Sequence, residues 1–203
     1  MPTAISRSKK KTEDNMKEQK AKKTRVKFER EVSLTEGVSA VIEHEMIKIK
    51  GKHGECHRRI ERGIKARLEG SSILIETENN TQRDKKMIGS IEAHIRNMVK
   101  GAANGHKYTL KVCSGHFPMN ISAAGNKFTV KNFLGEKVPR AFEFSKNAKV
   151  TFEGEIIHVE SADKEIAGQI AAAIEQLTRR PGFDTRVFQD GIYITNKDGK
   201  EIK

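Results

Sequence analysis

The chain has 203 residues and a formal net charge of +12, from 39 Lys and Arg against 27 Asp and Glu. That excess implies an anionic partner, nucleic acid ahead of a membrane surface, while the length accommodates two small domains or one large one. No apolar run approaches the ~20 residues of a transmembrane helix, no hydrophobic stretch follows the first charges as in a secretory signal, and two cysteines, Cys56 and Cys113, fit a reducing compartment.

Residues 1–30 form a basic extension. Arg7 to Lys11, then Lys17, Lys20, Lys22, Lys23, Arg25 and Lys27, have almost no apolar anchor. Such a segment cannot offset the entropy of ordering. It is expected to be a disordered or extended arm that orders on nucleic acid, the plainer reading being a solvated tail with a localisation signal. From about Glu31 the pattern turns to strands. Ala40–Ile42 and Met46–Lys50 flank Glu43-His44-Glu45 as a hairpin, with further strands near Ile73–Thr77 and Lys107–Cys113. Between them Gln82 to Ala103 carries the apolar stripe Ile88, Ile91, Ile95, Met98 and Ala102 of an amphipathic helix, stopped by Gly101, Asn104 and Gly105.

The second half repeats the plan. Phe117–Ser122 and Lys127–Lys131 flank Ala123–Asn126, Lys149–Phe152 and Glu155–Glu160 pair across Gly154, and a helix runs from about Ala162 to Arg179. Pro181-Gly182 ends that helix and Ile192–Ile194 supplies a last strand. The repetition is also literal: DKKMIGSIEAHI at Asp84–Ile95 returns as DKEIAGQIAAAI at Asp163–Ile174, and Gly54-Glu55 with Arg59 returns as Gly135-Glu136 with Arg140. A separation of about 80 residues suits a duplicated small domain, not a solenoid. Gly89 and Gly168 recur at one place in the two helices, where glycine costs about 1 kcal/mol against alanine, so each helix is expected to press closely on its sheet there. Asp84 and Asp163 read as helix caps.

Catalytic patterns are weak. His53-x-x-Cys56 and Cys113-x-x-His116 offer four zinc-ligand types, but each pair has one thiolate and Cys113 lies in an apparent strand. Gly101 to Lys107 has the wrong spacing for a phosphate loop and follows a helix where a strand should precede it. No Gly-x-Ser-x-Gly elbow is present. Nine Phe, two Tyr and no Trp leave little material for a stacking platform on single-stranded RNA, which favours binding folded RNA through phosphates and shape. The basic turns remain: Lys50–Gly54 and Lys131–Lys137 as corresponding loops of the two copies, and Arg179, Arg180 and Arg186 beside the compact turn Phe188–Gly191.

Four segments are recognisable: His94–Gly101, His116-Phe117-Pro118, Asn132–Lys137 and Arg186–Tyr193. They closely resemble the large-subunit ribosomal protein L-six family, in its archaeal or eukaryotic branch, in order from about residue 31 to residue 196. The resemblance implies an α/β (α+β) fold with internal duplication: two similar domains, each a small, mainly antiparallel sheet packed on one long helix. The expected divisions are a first repeat at 31–114, a second at 115–196 and a C-terminal tail at 197–203. It implies a structural, non-enzymatic protein without cofactor, catalytic residues, metal or membrane. Its partners would be large-subunit ribosomal RNA, neighbouring ribosomal proteins and the stalk base, with translation factors near the N-terminal half. Its place would be the cytoplasmic ribosome, after nucleolar transit in a eukaryote. The second copy is expected to be the main RNA-binding half. Its RNA contacts would be Lys131, Asn132, Lys137 and Arg140 from the hairpin loop, and Arg179, Arg180, Arg186, Gln189 and Asp190 from the C-terminal motif, with Phe188 packing beneath. Arg96, Lys100, Lys107 and His116 complete the candidates. Two departures stand out: Lys52 replaces the usual proline of the first loop, and Arg180-Pro181 replaces an aliphatic and a basic residue. The alternatives to a ribosomal constituent are a basic assembly factor absent from the mature particle and, last, an enzyme in a two-domain cleft.

Overall fold

A computed structural model describes residues 28–77, 79–184 and 186–202. Nearly all of the expected basic arm thus lies outside the described residues. In the first half, β1 (Glu29–Ser33), β2 (Ser39–Glu43), β3 (Met46–Gly51), β4 (Gly54–Arg59), β5 (Ile64–Glu69) and β6 (Ser72–Thr77) precede the helix α1 (Gln82–Asn104). The second half contains β7 (His106–Cys113), β8 (Asn120–Ala124), β9 (Lys127–Lys131), a 3₁₀ turn at Phe133–Gly135, β10 (Arg140–Glu143), β11 (Ala148–Glu153) and β12 (Ile156–Ser161). Helix α2 (Lys164–Leu177), β13 (Gly191–Lys197) and β14 (Lys200–Glu201) close the chain.

The sheets repeat as the sequence does. The first half has β2-β3-β4 and β1-β6-β5, and the second has β8-β9-β10 and β11-β12-β7, so each half pairs its first strand with the strand that leads into its helix. All these pairings are antiparallel. The second sheet alone gains β13 and β14 on the far edge of β7. Alternation sets the inward residues: Ile47 and Ile49 of β3 and Ile73 and Ile75 of β6 meet Ile88, Ile91, Ile95 and Ala102 of α1 in one core. Leu110, Ile157 and Val159 meet Ala167, Ile170 and Ile174 of α2 in the other.

Several expectations change in detail. The strand β7, expected to close a first repeat at 31–114, makes its hydrogen bonds with β12 and β13 of the second sheet. Within the expected tail at 197–203, Lys200–Glu201 instead fold back to pair with Asn196–Lys197. Strands β1, β4 and β5 had no clear signal because charges crowd both faces; β1 buries Val32 alone, and β4 buries Cys56 alone. The cap of α1 is Thr81, whose Oγ1 accepts the Asp84 N–H at 3.2 Å while the Asp84 carboxylate accepts the Thr81 N–H, a reciprocal box with Asp84 as its second member. Asp163 does cap α2, accepting from the Glu165 N–H at 2.8 Å. The paired glycines diverge: a Cβ on Gly168 would meet the Tyr108 hydroxyl at 3.3 Å, but one on Gly89 would meet nothing within 4 Å. Only the second copy presses its helix on the sheet there.

Candidate nucleic-acid interface

The loops of the second half converge at the end of β7 marked by Cys113. After β9 the chain turns sharply through Asn132 and Leu134, both left-handed at φ 61° and 48°. It is pinned by the buried ring of Phe133 and by the Asn132 side-chain amide, which donates to the Pro118 carbonyl at 3.1 Å. Arg140 then ties this loop to the end of α2. Its Nε and Nη2 donate to the two Glu136 carboxylate oxygens at 2.8 and 2.7 Å, and its Nη1 donates to the Leu177 and Arg179 carbonyls at 2.7 and 3.4 Å. The guanidinium also lies 4.5 Å from the Phe133 ring centroid. The hydrogen bond from Arg140 holds the Glu136 carboxyl below the usual carboxylate range. At the helix end the Thr178 hydroxyl accepts the Ile192 N–H at 2.9 Å and donates to the Glu175 carbonyl at 3.1 Å, fixing where β13 starts.

A second clamp starts at Asp190, whose side chain is 3% exposed. It accepts the Gly115 and His116 backbone N–H groups at 2.7 and 3.0 Å and the His116 ring Nδ1–H at 2.5 Å. Burial pushes this carboxyl upward, yet the donors from His116 and Gly115 outweigh it and hold it below the ordinary aspartate value. From His116 a ladder of flat groups leads outward. Its ring stacks on Phe188 at 5.4 Å, Phe188 meets Phe183 edge-on at 5.1 Å, and the Arg180 guanidinium lies 4.3 Å from the Phe183 ring centroid.

The expected contact residues therefore separate into groups. Lys131, Lys137, Arg179 and Arg180 are exposed on these loops with no carboxylate within ion-pair distance among the described residues. Arg186 pairs with Asp184 at 3.0 Å, and exposed Gln189 reaches the Arg186 carbonyl at 3.5 Å. Asp190 and Arg140 spend their polar atoms inside the protein, and His116 is half exposed beside them. Arg96, Lys100 and Lys107 lie elsewhere, paired with Glu92, Asp198 and Glu160. Lys107 is the second residue of β7 and Cys113 its last, which at about 3.3 Å per residue puts Lys107 about 20 Å from the loop cluster. The first copy's loop is docked by its backbone, the His53 N–H donating to the Ala102 carbonyl at 3.1 Å at the end of α1, while Lys50, Lys52 and His53 themselves are exposed. Cys56 lies in the first core, where burial pushes its thiol up to about 11. Among the described residues no three His, Cys, Asp or Glu converge as metal ligands. Sequence reading passed over Phe183, Tyr193 and Glu136. The one available signal was two Phe within six residues, Phe183 and Phe188, in a chain poor in aromatics.

Residues 34–105 and 117–191 each match the family described as ribosomal protein L6, one match per half. The chain is 39% identical over 169 residues to the large ribosomal subunit protein uL6 of Aeropyrum pernix, covering 82% of this chain and 93% of that protein. It is 38% identical over 172 residues to the uL6 of Picrophilus torridus, covering 84% and 96%. To that of Natronomonas pharaonis it is 37% identical over 166 residues, covering 81% and 94%. With both repeated halves matched in order, the chain belongs to the ribosomal protein L6 family.

Proposed function

We propose that the protein is a non-enzymatic constituent of the large ribosomal subunit that binds ribosomal RNA and stabilises its fold. The observation that carries this reading is family membership across both halves, joined to the net charge of +12. The second half is the main RNA-binding half. Lys131, Lys137, Arg179 and Arg180 supply phosphate contacts from two loops whose relative position Arg140 fixes, so affinity comes from charge and selectivity from RNA shape. The first half, whose corresponding loop is folded onto α1, is left to neighbouring proteins, the stalk base and translation factors. Among the described residues no helix is long and apolar enough to cross a membrane.

The test is binding of the full chain to large-subunit ribosomal RNA across a salt series. The log–log slope should be roughly −0.7 to −0.9 per phosphate contact. Replacing Lys131, Lys137, Arg179 or Arg180 with glutamine should each reduce its magnitude by about 1 while weakening binding evenly across sequences. A flat salt response would remove the mechanism. Release from large subunits on a high-salt gradient would point to an assembly factor.

A further inference from the structure

We propose that the cavity between the 3₁₀ turn and the α2–β13 loop receives one unstacked nucleobase of the bound RNA, stacked against Phe183 and flanked by the arginines of the rim. The inference rests on the RNA-binding reading above and names what its central site takes. The cavity has a volume of about 550 Å³, and Phe183, Phe188, Tyr193, Gln176, Arg179 and Arg180 are among its lining. That volume is within the roughly 300–1,000 Å³ of small-molecule sites and suits one nucleotide.

Three features favour a base over other occupants. Phe183 and Tyr193 are 40% and 39% exposed, an apolar display that phosphate binding does not require, in a chain with no Trp and two Tyr. Their rings are held in place beforehand: Arg180 and Phe188 hold Phe183, and Tyr193 lies so close to Gly191 that a Cβ there would meet the ring at 3.3 Å. Exposed Gln176 has no side-chain hydrogen bond among the described residues, so its amide offers both a donor and an acceptor to a base edge. The arginines settle the class of occupant. Arg179 and Arg180 stand at the rim with no carboxylate within ion-pair distance among the described residues, although Arg180 is near enough to Glu136 to help lower its carboxyl, so an anionic group suits this rim better than an apolar side chain of a neighbouring protein. A nucleotide satisfies rings and charges together.

The test uses the full chain on transcribed large-subunit ribosomal RNA from the same organism. Base edges are probed with dimethyl sulfate and a carbodiimide, and the backbone with hydroxyl radicals. The wild-type protein should protect an unpaired base inside its backbone footprint. Phe183→Ala should restore that base's reactivity and weaken binding about 5- to 150-fold, as expected for the ~1–3 kcal/mol of one base–aromatic stack, with an unchanged salt slope. Phe183→Leu, which keeps apolar bulk against Phe188, should behave like the alanine variant, and Phe183→Tyr like the wild type. The base pocket is overturned if the leucine variant binds and protects normally, or if a backbone footprint forms with no base protected inside it. Absence of any footprint with the wild type would instead overturn the RNA-binding reading itself.

Discussion

Arg140 joins two loops that no backbone hydrogen bond connects among the described residues, and its fork geometry is what allows it. One edge of the guanidinium takes both Glu136 oxygens while Nη1 reaches the carbonyls at the end of α2. Lysine at this place keeps the charge but has one ammonium for acceptors lying in two directions. Arg140→Lys should therefore lower unfolding stability by about 1.5–3 kcal/mol, the usual cost of hydrogen bonds to a charged group, read as a shift of the urea midpoint. A loss under about 0.5 kcal/mol, ordinary for a surface substitution, would show that the clamp is incidental. Asp190 gives a second prediction, with a definite sign. Its folded pKa lies below its unfolded one, so its contribution is present above the ordinary aspartate value and is lost as pH falls through the lower, folded value. Asp190→Asn should destabilise at pH 7 and have little effect once the wild-type carboxylate is protonated. Parallel pH–stability curves for the two proteins would refute this.

At the scale of elements, the duplicated helices offer an internal control. Gly89 is exposed with open space at its Cβ position, so Gly89→Ala should stabilise α1 by about 0.8–1 kcal/mol, the glycine penalty of a helix interior. Gly168→Ala gains the same propensity but must move the Tyr108 hydroxyl, 3.3 Å from the new methyl, so its thermal midpoint should rise less or fall. Equal shifts would mean that the packing difference carries no energy. The same contrast marks how far sequence reaches. The two helices, the hairpins β2–β3 and β8–β9, the pair β11–β12 and the duplication itself were legible, because apolar period and local turns encode them. Strands β4 and β5 were not, since GECHRR and IKARLE lack clean alternation and form only against partners. The basic residues of the interface were visible one by one. The clamp of Asp190 on His116 joins residues 74 apart, and nothing local signals it.

At the scale of the whole molecule, the two halves are continuous through α1 and β7, and the contacts beside that joint decide how firmly they sit together. A Cβ on Gly101 of α1 would overlap the Ala162 carbonyl oxygen just before α2, so the halves approach to backbone contact there. Among the described residues two ion-pair groups cross the joint. Arg58 and His94 meet Glu165 at 2.6 and 3.0 Å, but Arg58 and Glu165 are 36% and 49% exposed, and such pairs contribute about 0–1 kcal/mol. Asp198 is different, being 14% exposed at the turn between β13 and β14. Its carboxylate accepts from the Lys100 ammonium at 2.7 Å and faces Nδ1 of fully buried His106 at 3.1 Å, off the axis of a good hydrogen bond. The other ring nitrogen of His106 lies 3.0 Å from the Asn97 carbonyl of α1, so the imidazole bridges the first half's helix and the second half's last turn. Burial pushes the Asp198 carboxyl up, but Lys100 and His106 outweigh it and hold it below its ordinary value. Asp198 has φ 54°, a conformation asparagine also tolerates, so Asp198→Asn removes the charge with little backbone cost. That variant should speed amide hydrogen exchange at the β13–β14 turn and the start of β7 at pH 7, leaving the β2–β3 hairpin unchanged. Glu165→Gln should do much less. Because the contribution of Asp198 is lost as pH falls through its lowered pKa, the two proteins should exchange alike once that carboxylate is protonated. Equal exchange already at pH 7, or a larger effect from Glu165→Gln, would mean that the joint is held by packing alone.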